Sequence, residues 1–347
     1  LVKTNIHYFP LKDSKLAEQA KELLGRLIPQ DPKFPCGFSG YFWPAMAEHR
    51  SILIRIICFG SLLLQLSGCR VSDDSADDPP GFALQRGAGV FEFETPIGAT
   101  AESISVHYRI PLMGDILDMP VLFVFHGAER NAASYANDWE TLAEMHQAMV
   151  FVPEFTEMDY PSSVGYQQGN LMAGDQLRPE EEWLFRLIEP MFDEIQERLG
   201  APKNSYDAWG HSAGAQFLHR YILFGGANRL SQAIAANAGW YTVPENASAF
   251  PYGLAESPID ESDLAIPFSM NLMIHLGSED TNYMETGWTG AYAQGDNRLD
   301  RGQYFHDRAI QISQDNGILL NWSLQVAEGI GHQPLEMAAK GAQIFYP

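Results

Sequence analysis

Hydrophobic and polar positions along this chain follow first one period and then another. Between residues 89 and 111, "GVFEFETP" and "ESISVHYRIP" alternate apolar and polar positions with a period of two, and "IGAT" lies between them. That pattern predicts an antiparallel hairpin. From Pro120 onward the strands read as short continuous apolar runs: "PVLFVFHG" (120–127), "MVFVPEF" (149–155), "SYDAWG" (205–210), "AIAANAG" (233–239), "NLMIHLG" (271–277) and "ILLNWSLQVAEG" (318–329). Runs of this kind suit strands buried on both faces.

Between the strands the period lengthens to that of a helix. "SYANDWETLAEMHQA" (134–148) predicts one helix with Ser134 as its N-cap. "RPEEEWLFRLIEPMFDEIQERLG" (178–200) predicts a long amphipathic helix, acidic in its first turn, ended by Gly200 and open to a kink at Pro190. "SAGAQFLHRYILFG" (212–225), a segment near Asp300–Gln314 and a terminal stretch from about Gln333 predict three more. A Gly-, Ser- and Gln-rich loop covers 159–175, and an irregular segment from Trp240 to Pro267 is long enough to fold over the top of a sheet. Repeated strand–helix alternation predicts the α/β class: a mostly parallel central sheet with helices on both faces, begun by an antiparallel hairpin. No internal repeat and no second domain is evident.

The first part of the chain has a different character. From Met46 it reads "MAEHRSILIRIICFGSLLLQLSGCRVSDD": a basic opening (His49, Arg50, Arg55), an apolar run from Ile56 to Leu66, then "LSGC". The run is too short to span a bilayer and suits the core of a signal peptide. "LSGC" (Leu66–Cys69) resembles the lipobox of bacterial lipoproteins, which implies that Cys69 is lipidated and becomes the new N-terminus. Arg70, where an Asp would favour inner-membrane retention, points to the outer membrane of the cell envelope. The alternative is a buried apolar helix.

The acidic "VSDDSADDPPGF" that follows reads as a solvated tether. Met46 is then expected to be the initiator, leaving residues 1–45 as an upstream over-extension. A genuine N-terminal domain is the alternative, but "LAEQAKELLGRLI" (Leu16–Ile28) supplies only one amphipathic helix for its core. The expected organisation is 1–45 upstream, 46–68 signal peptide, 69–85 tether and 86–347 a single catalytic domain.

Charge sharpens with this division. Eight of the 22 Lys and Arg and five of the 44 Asp and Glu precede Cys69, leaving 14 against 39, a net charge of −25. So acidic a surface repels nucleic acid and anionic headgroups. Of the three cysteines, Cys36 and Cys58 precede Cys69. The mature chain is therefore expected to have no disulfide and no thiol for catalysis or metal binding.

The chemistry centres on "YDAWGHSAGAQF" (206–217), where Ser212 stands in a G-x-S-x-G pattern between a strand-like and a helix-like segment. On such a strand-to-helix turn the serine adopts a strained backbone, and Gly210 and Gly214 must be small where the two arms approach. The helix that follows points its N-terminus at the site and favours negative charge there. A serine hydroxyl needs a base to take its proton. The base in turn needs an acceptor to fix its tautomer.

At this point the chain resembles the α/β-hydrolase family, from about Phe91 to Tyr346. "LFVFHGAERNAASYANDW", "FVPEF", "PSSVGYQQGN" and "GHSAGAQF" resemble more loosely its polyhydroxybutyrate-depolymerase and feruloyl-esterase-like branch. The resemblance implies the order nucleophile, acid, histidine. It places the base on His332 in "EGIGHQP", after the last strand, and the acid on Asp280, which matches the family's G-x-x-D in "NLMIHLGSEDTN". Glu279 is the neighbouring competitor. It also implies an oxyanion hole from the N–H groups of Ala213 and of Ala128, the latter following "HG" at His126–Gly127.

Trp240, Tyr241, Tyr166 and Trp288 are candidate pocket residues, and Trp139 a further one, each with core packing as its alternative role. The chemistry calls for no metal or cofactor, and H-E-x-x-H, paired cysteines, a calcium loop and a phosphate-binding glycine loop are missing from the sequence. The expected function is a lipid-anchored serine esterase with an ester substrate. A serine peptidase on the same fold and a non-catalytic tethered binding protein are the alternatives. Mass spectrometry of the native protein is expected to find no peptide from before Met46. Recovering one would overturn the signal-peptide reading.

Overall fold

In the computed structural model the described residues are 83–282 and 289–347. The leader, Cys69 and the first part of the tether, together with Trp288, lie outside them. The predicted hairpin forms: β1 (Gly87–Glu94) and β2 (Ser103–Ile110) pair antiparallel, from Gly87 opposite Ile110 to Glu94 opposite Ser103. The apolar runs become β3 (Val121–Phe125), β4 (Met149–Pro153), β5 (Tyr206–His211), β6 (Leu230–Ala236), β7 (Leu272–Gly277) and β8 (Ser323–Ala327). They make one eight-stranded sheet in the order β1-β2-β4-β3-β5-β6-β7-β8. β2 meets β4 antiparallel, and every pairing from β4 onward is parallel.

Every residue of β3, β4 and β5 is buried, as a strand covered on both faces requires. Alternation along the strands divides the apolar interior in two. Phe123, Phe125, Phe151, Ala208 and Ile274 join the larger core, with α4 (Ile188–Leu199), α5 (Ala213–Phe224) and α7 (Arg298–Asn316) packed on that face. Leu122, Val124, Val152, Trp209 and Ile234 face the other way, toward α1 (Ala132–Asp138), α2 (Glu140–His146) and α8 (Pro334–Phe345). α5 is buried along all twelve residues, its polar members Gln216, His219 and Arg220 included.

Several boundaries differ from expectation for local reasons. The long helix predicted over 178–200 is two 3₁₀ turns, Glu180–Glu182 and Leu184–Leu187, followed by α4. α4 begins at Ile188 so that Pro190 falls in its first turn, where a missing N–H costs no bond. Gly200, in the left-handed region at φ 61°, ends it as expected. The helix predicted from Ser134 is α1 followed by α2, divided at Trp139, and Asn131 occupies the N-cap position without a side-chain bond. The last strand is only five residues long. Upstream of it, the Asn321 N–H goes to the Phe268 carbonyl at 2.8 Å and the Trp322 indole to the Pro267 carbonyl at 3.0 Å, so these residues are tied to the segment before β7.

The loop over 159–175 contains one helical turn, α3 (Ser162–Gly165), and ends in Met172–Ala173, which pairs antiparallel with Gln176–Leu177. The stretch after Trp240 stays irregular up to Leu264, apart from a 3₁₀ turn at Glu261–Asp263, and α6 (Ala265–Ser269) closes it. It is bonded to α5. The Thr242 N–H donates to His219 Nε2 at 3.0 Å, and Arg220 Nε donates to Thr242 Oγ1 at 2.8 Å.

His275 on β7 is fully buried, and neither ring nitrogen meets a hydrogen-bond partner. Burial pushes its imidazole down from 6.5 to about 4, with the Lys340 charge adding to the effect. An unfolded chain therefore takes up this proton before the folded one does. The stability carried by the neutral ring is complete above pH 6.5 and is lost as pH falls through 4, about 3 kcal/mol for one group. His275→Leu is expected to lose about 3 kcal/mol less than the parent over that interval in urea unfolding. Parallel losses in the two proteins would refute this role for His275.

Candidate active site

A parallel sheet delivers the ends of its strands to one edge, and the candidate residues collect there. His126 follows β3, Ser212 follows β5, Asn237 follows β6, Asp280 follows the end of β7 by three residues and His332 follows β8.

Ser212 joins β5 to α5 with φ 56° and ψ −112°, a conformation that costs a side-chain-bearing residue of the order of 1–3 kcal/mol. Its N–H donates to the Ala236 carbonyl at 2.9 Å, and its carbonyl accepts from Gln216 N–H at 3.1 Å. The glycines on either side are required by space. A Cβ on Gly210 would lie 2.4 Å from the Gly214 carbonyl oxygen, and one on Gly214 would lie 2.0 Å from that of Phe125. The elbow is thus pressed against the end of β3, which sets Ala213, the first residue of α5, beside the loop after His126. Ala128 is exposed on that loop, in a turn closed by Arg130 N–H to the Gly127 carbonyl at 3.2 Å.

His126 and Arg130 hold the loop from beneath. The Phe155 N–H donates to His126 Nε2 at 3.1 Å, which leaves Nδ1–H to donate to the Gly127 carbonyl at 2.9 Å. Burial pushes this imidazole down to about 4, so it is neutral near pH 7. The Arg130 guanidinium donates to the carbonyls of Phe155, Tyr160 and Ser162 at 2.7–2.8 Å and lies 4.6 Å over the Tyr166 ring.

Asp280 is 1% exposed, and its Oδ2 lies 2.6 Å from His332 Nδ1. Glu279, the competing acid, is exposed. The loops bearing the acid and the histidine are joined along their backbones. Glu279 N–H donates to the Ile330 carbonyl at 2.9 Å, and Ser278 N–H to that of Ala327 at 3.0 Å. Gly277 permits this approach, because a Cβ there would lie 2.4 Å from the Ile330 oxygen. The His332 ring sits 4.6 Å from that of His211, the residue before Ser212. Burial, reinforced by the charges of His332 and Arg298, drives His211 well below its ordinary value, and its Nδ1 is bonded to the Tyr135 hydroxyl at 2.9 Å. The ring packed beside His332 is therefore neutral near pH 7.

Two contributors escaped the sequence reading. Asn237 is fully buried at φ 49° and bridges the two loops: its Nδ2 donates to the Gly331 carbonyl at 2.8 Å, and its Oδ1 accepts from Gly277 N–H at 2.8 Å. Arg298 donates through Nη1 to Asp280 Oδ1 at 3.1 Å. The one sequence signal for Asn237 is a polar residue directly after a buried strand. Arg298 offers none.

The candidate pocket aromatics are placed in the interior. Tyr166 is fully buried and donates its hydroxyl to the His126 carbonyl at 2.8 Å. Tyr241, also buried, stacks on Phe305 at 4.4 Å. Trp240 is 3% exposed, with the Arg220 guanidinium 4.3 Å over its ring and Tyr252 at 5.1 Å. Trp139 packs edge-on against Trp209 at 5.4 Å. Packing, the alternative role, accounts for all four.

No protein-family model and no curated protein matches this chain by sequence. Solved structures do. A poly(aspartic acid) hydrolase from Sphingomonas sp. KT-1 is 35% identical, with a TM-score of 0.72 over 76% of this chain and 100% of that one. A poly(3-hydroxybutyrate) depolymerase from Bordetella parapertussis is 27% identical, with a TM-score of 0.71 over 76% of this chain and 90% of that one. An S-formylglutathione hydrolase from Agrobacterium tumefaciens, 14% identical with a TM-score of 0.50 over 76% of this chain and 95% of that one, shares the fold alone. The fold is that of the α/β-hydrolases, as the sequence led one to expect.

Gly214→Ala would drive a methyl into backbone that cannot swing aside, an overpacking cost of about 3 kcal/mol or more. Gly200→Ala meets open space and pays only for its left-handed backbone, about 1 kcal/mol. Thermal unfolding is expected to show the larger loss for Gly214→Ala, and equal losses would contradict the close approach.

Proposed function

We propose that this chain, which belongs to the α/β-hydrolase family, hydrolyses carboxylic esters through a Ser212 acyl-enzyme. Hydrolase activity is common to the two relatives that carry the kinship. The observation that carries the finer reading is the 2.6 Å bond between Asp280 and His332 Nδ1, at the sheet edge where Ser212 is held at φ 56°.

The chemistry follows from those placements. A carboxylate accepting from Nδ1–H leaves the Nε2 lone pair of His332 available as a base. Ser212 Oγ attacks the ester carbonyl as Nε2 takes its proton. The tetrahedral oxyanion is met by the N–H groups of Ala213 and Ala128, with the N-terminus of α5 behind Ala213 favouring the developing charge. Collapse expels the alcohol, protonated by His332. Water then repeats the sequence on the acyl-enzyme, releasing the acid and restoring Ser212.

A second reading, amide hydrolysis, is favoured by the 35% identity to a poly(aspartic acid) hydrolase, whose named substrate is a polyamide. The net charge of −22 opposes it, since an acidic protein repels a polyanion. We place the enzyme in the bacterial cell envelope, anchored to membrane through lipid on Cys69, with an ester and not a nucleic acid as its partner.

Ser212→Ala is expected to abolish turnover of short-chain p-nitrophenyl esters, and labelling by a fluorophosphonate, without lowering the melting temperature. Undiminished turnover by that variant would remove the assignment. Faster cleavage of poly(aspartic acid) than of any ester in a parallel panel would favour the amide reading.

A further inference from the structure

Asp280 is gripped from both sides. Its Oδ2 faces His332 and its Oδ1 accepts from Arg298 Nη1 at 3.1 Å, while the carboxylate is almost wholly out of water. Arg298 is the first residue of α7, directly after the N-cap Asn297, whose side chain accepts from Asp300 N–H at 2.9 Å. A cation in the first turn opposes the helix dipole, so α7 gains nothing from an arginine at this position. Its use lies in what it touches.

We propose that Arg298 is a positioning residue for this site, fixing the Asp280 carboxylate toward His332 and tuning the charge that the His332 ring can carry. The inference rests on the serine-hydrolase reading above. A carboxylate bonded on one side alone can turn about its last torsion, and a second bond on its other oxygen removes that freedom. Arginine keeps its charge throughout the accessible pH range. Held this close, it offsets part of the Asp280 charge and repels the positive charge that the His332 ring acquires on taking a proton.

Among the described residues, the titratable groups on the elements around Asp280 and His332 are these. From the elbow comes the neutral His211 beside the ring, and from the loop after β6 comes Tyr241 on the Asp280 side, whose phenol burial pushes up and keeps protonated. From the loop after β7 come Asp280 itself and the exposed Glu279, and Glu336 lies in the first turn of α8, four residues beyond His332.

The test is the pH dependence of kcat/KM for p-nitrophenyl acetate in the full-length protein. In Arg298→Met the acid limb is expected to move toward alkaline pH by on the order of one unit, with kcat lowered about tenfold. Arg298→Lys keeps the charge and is expected to hold the limb near its parental position. Should the Met variant fail to fold, Arg298→Gln, which retains a donor without the charge, carries the same expectation. An acid limb in the uncharged variant that coincides with the parent overturns the proposal, whatever happens to kcat. Ser212→Ala is assayed alongside. If it remains active, the hydrolase reading itself fails. If it is inactive and the acid limb of the uncharged variant stays put, the role of Arg298 alone fails.

Discussion

Between Gly214 and the carbonyl oxygen of Phe125 there is no room for a methyl group. That close approach locks the head of α5 against the end of β3, and much of the molecule follows from it. It turns Ser212 into a left-handed backbone and sets Ala213 next to the loop that carries Ala128. It also commits α5 to a course through the larger core, buried on every side. A helix so placed can support what lies above it, and His219 and Arg220 do so by bonding to Thr242.

The chain has twice as many acids as bases, yet several of its cations point inward and bind backbone carbonyls. Arg130 binds three backbone carbonyls, Arg220 those of Gln167 and Gln216, and Arg301 those of Gly295 and Gly239. Arg130 and Arg301 thereby satisfy loop carbonyls, and Arg220 ties the Gln167 carbonyl to α5. Burying positive charge this way leaves the surface more acidic than the composition alone would make it. The interior histidines follow the same economy of charge: His126, His211, His219 and His275 are all held in the neutral form by burial.

The sheet was legible because strands buried on both faces leave continuous apolar runs, and β3, β4 and β5 are of that kind. Helix boundaries were less so. Whether Pro190 kinks a helix or opens one depends on where the preceding turns pack, and Trp139, where two helices divide, packs against Trp209 of β5, a contact between distant segments. At the site, the elbow serine and its glycines form a local pattern, while Asp280 and His332 were reached through their order along the chain. Asn237 and Arg298 act across elements, the latter on a residue 18 positions earlier, so their roles exist only once the loops are brought together. That Tyr166, Tyr241, Trp240 and Trp139 lie in the interior was not legible either. A Tyr or Trp reads alike in sequence whether its ring meets solvent or, like Tyr166, closes over a loop from within.

The brevity of β8 has a consequence for how these molecules behave beside one another. It ends the sheet with five residues, and its outward positions include Ser323 and Gln325 rather than apolar groups. Its upstream neighbours are turned inward by the bonds of Asn321 and Trp322. A free strand edge is a template on which another chain can add a strand, and a short polar edge is a poor one. Two copies meeting at this side would therefore have no ready way to knit their sheets together.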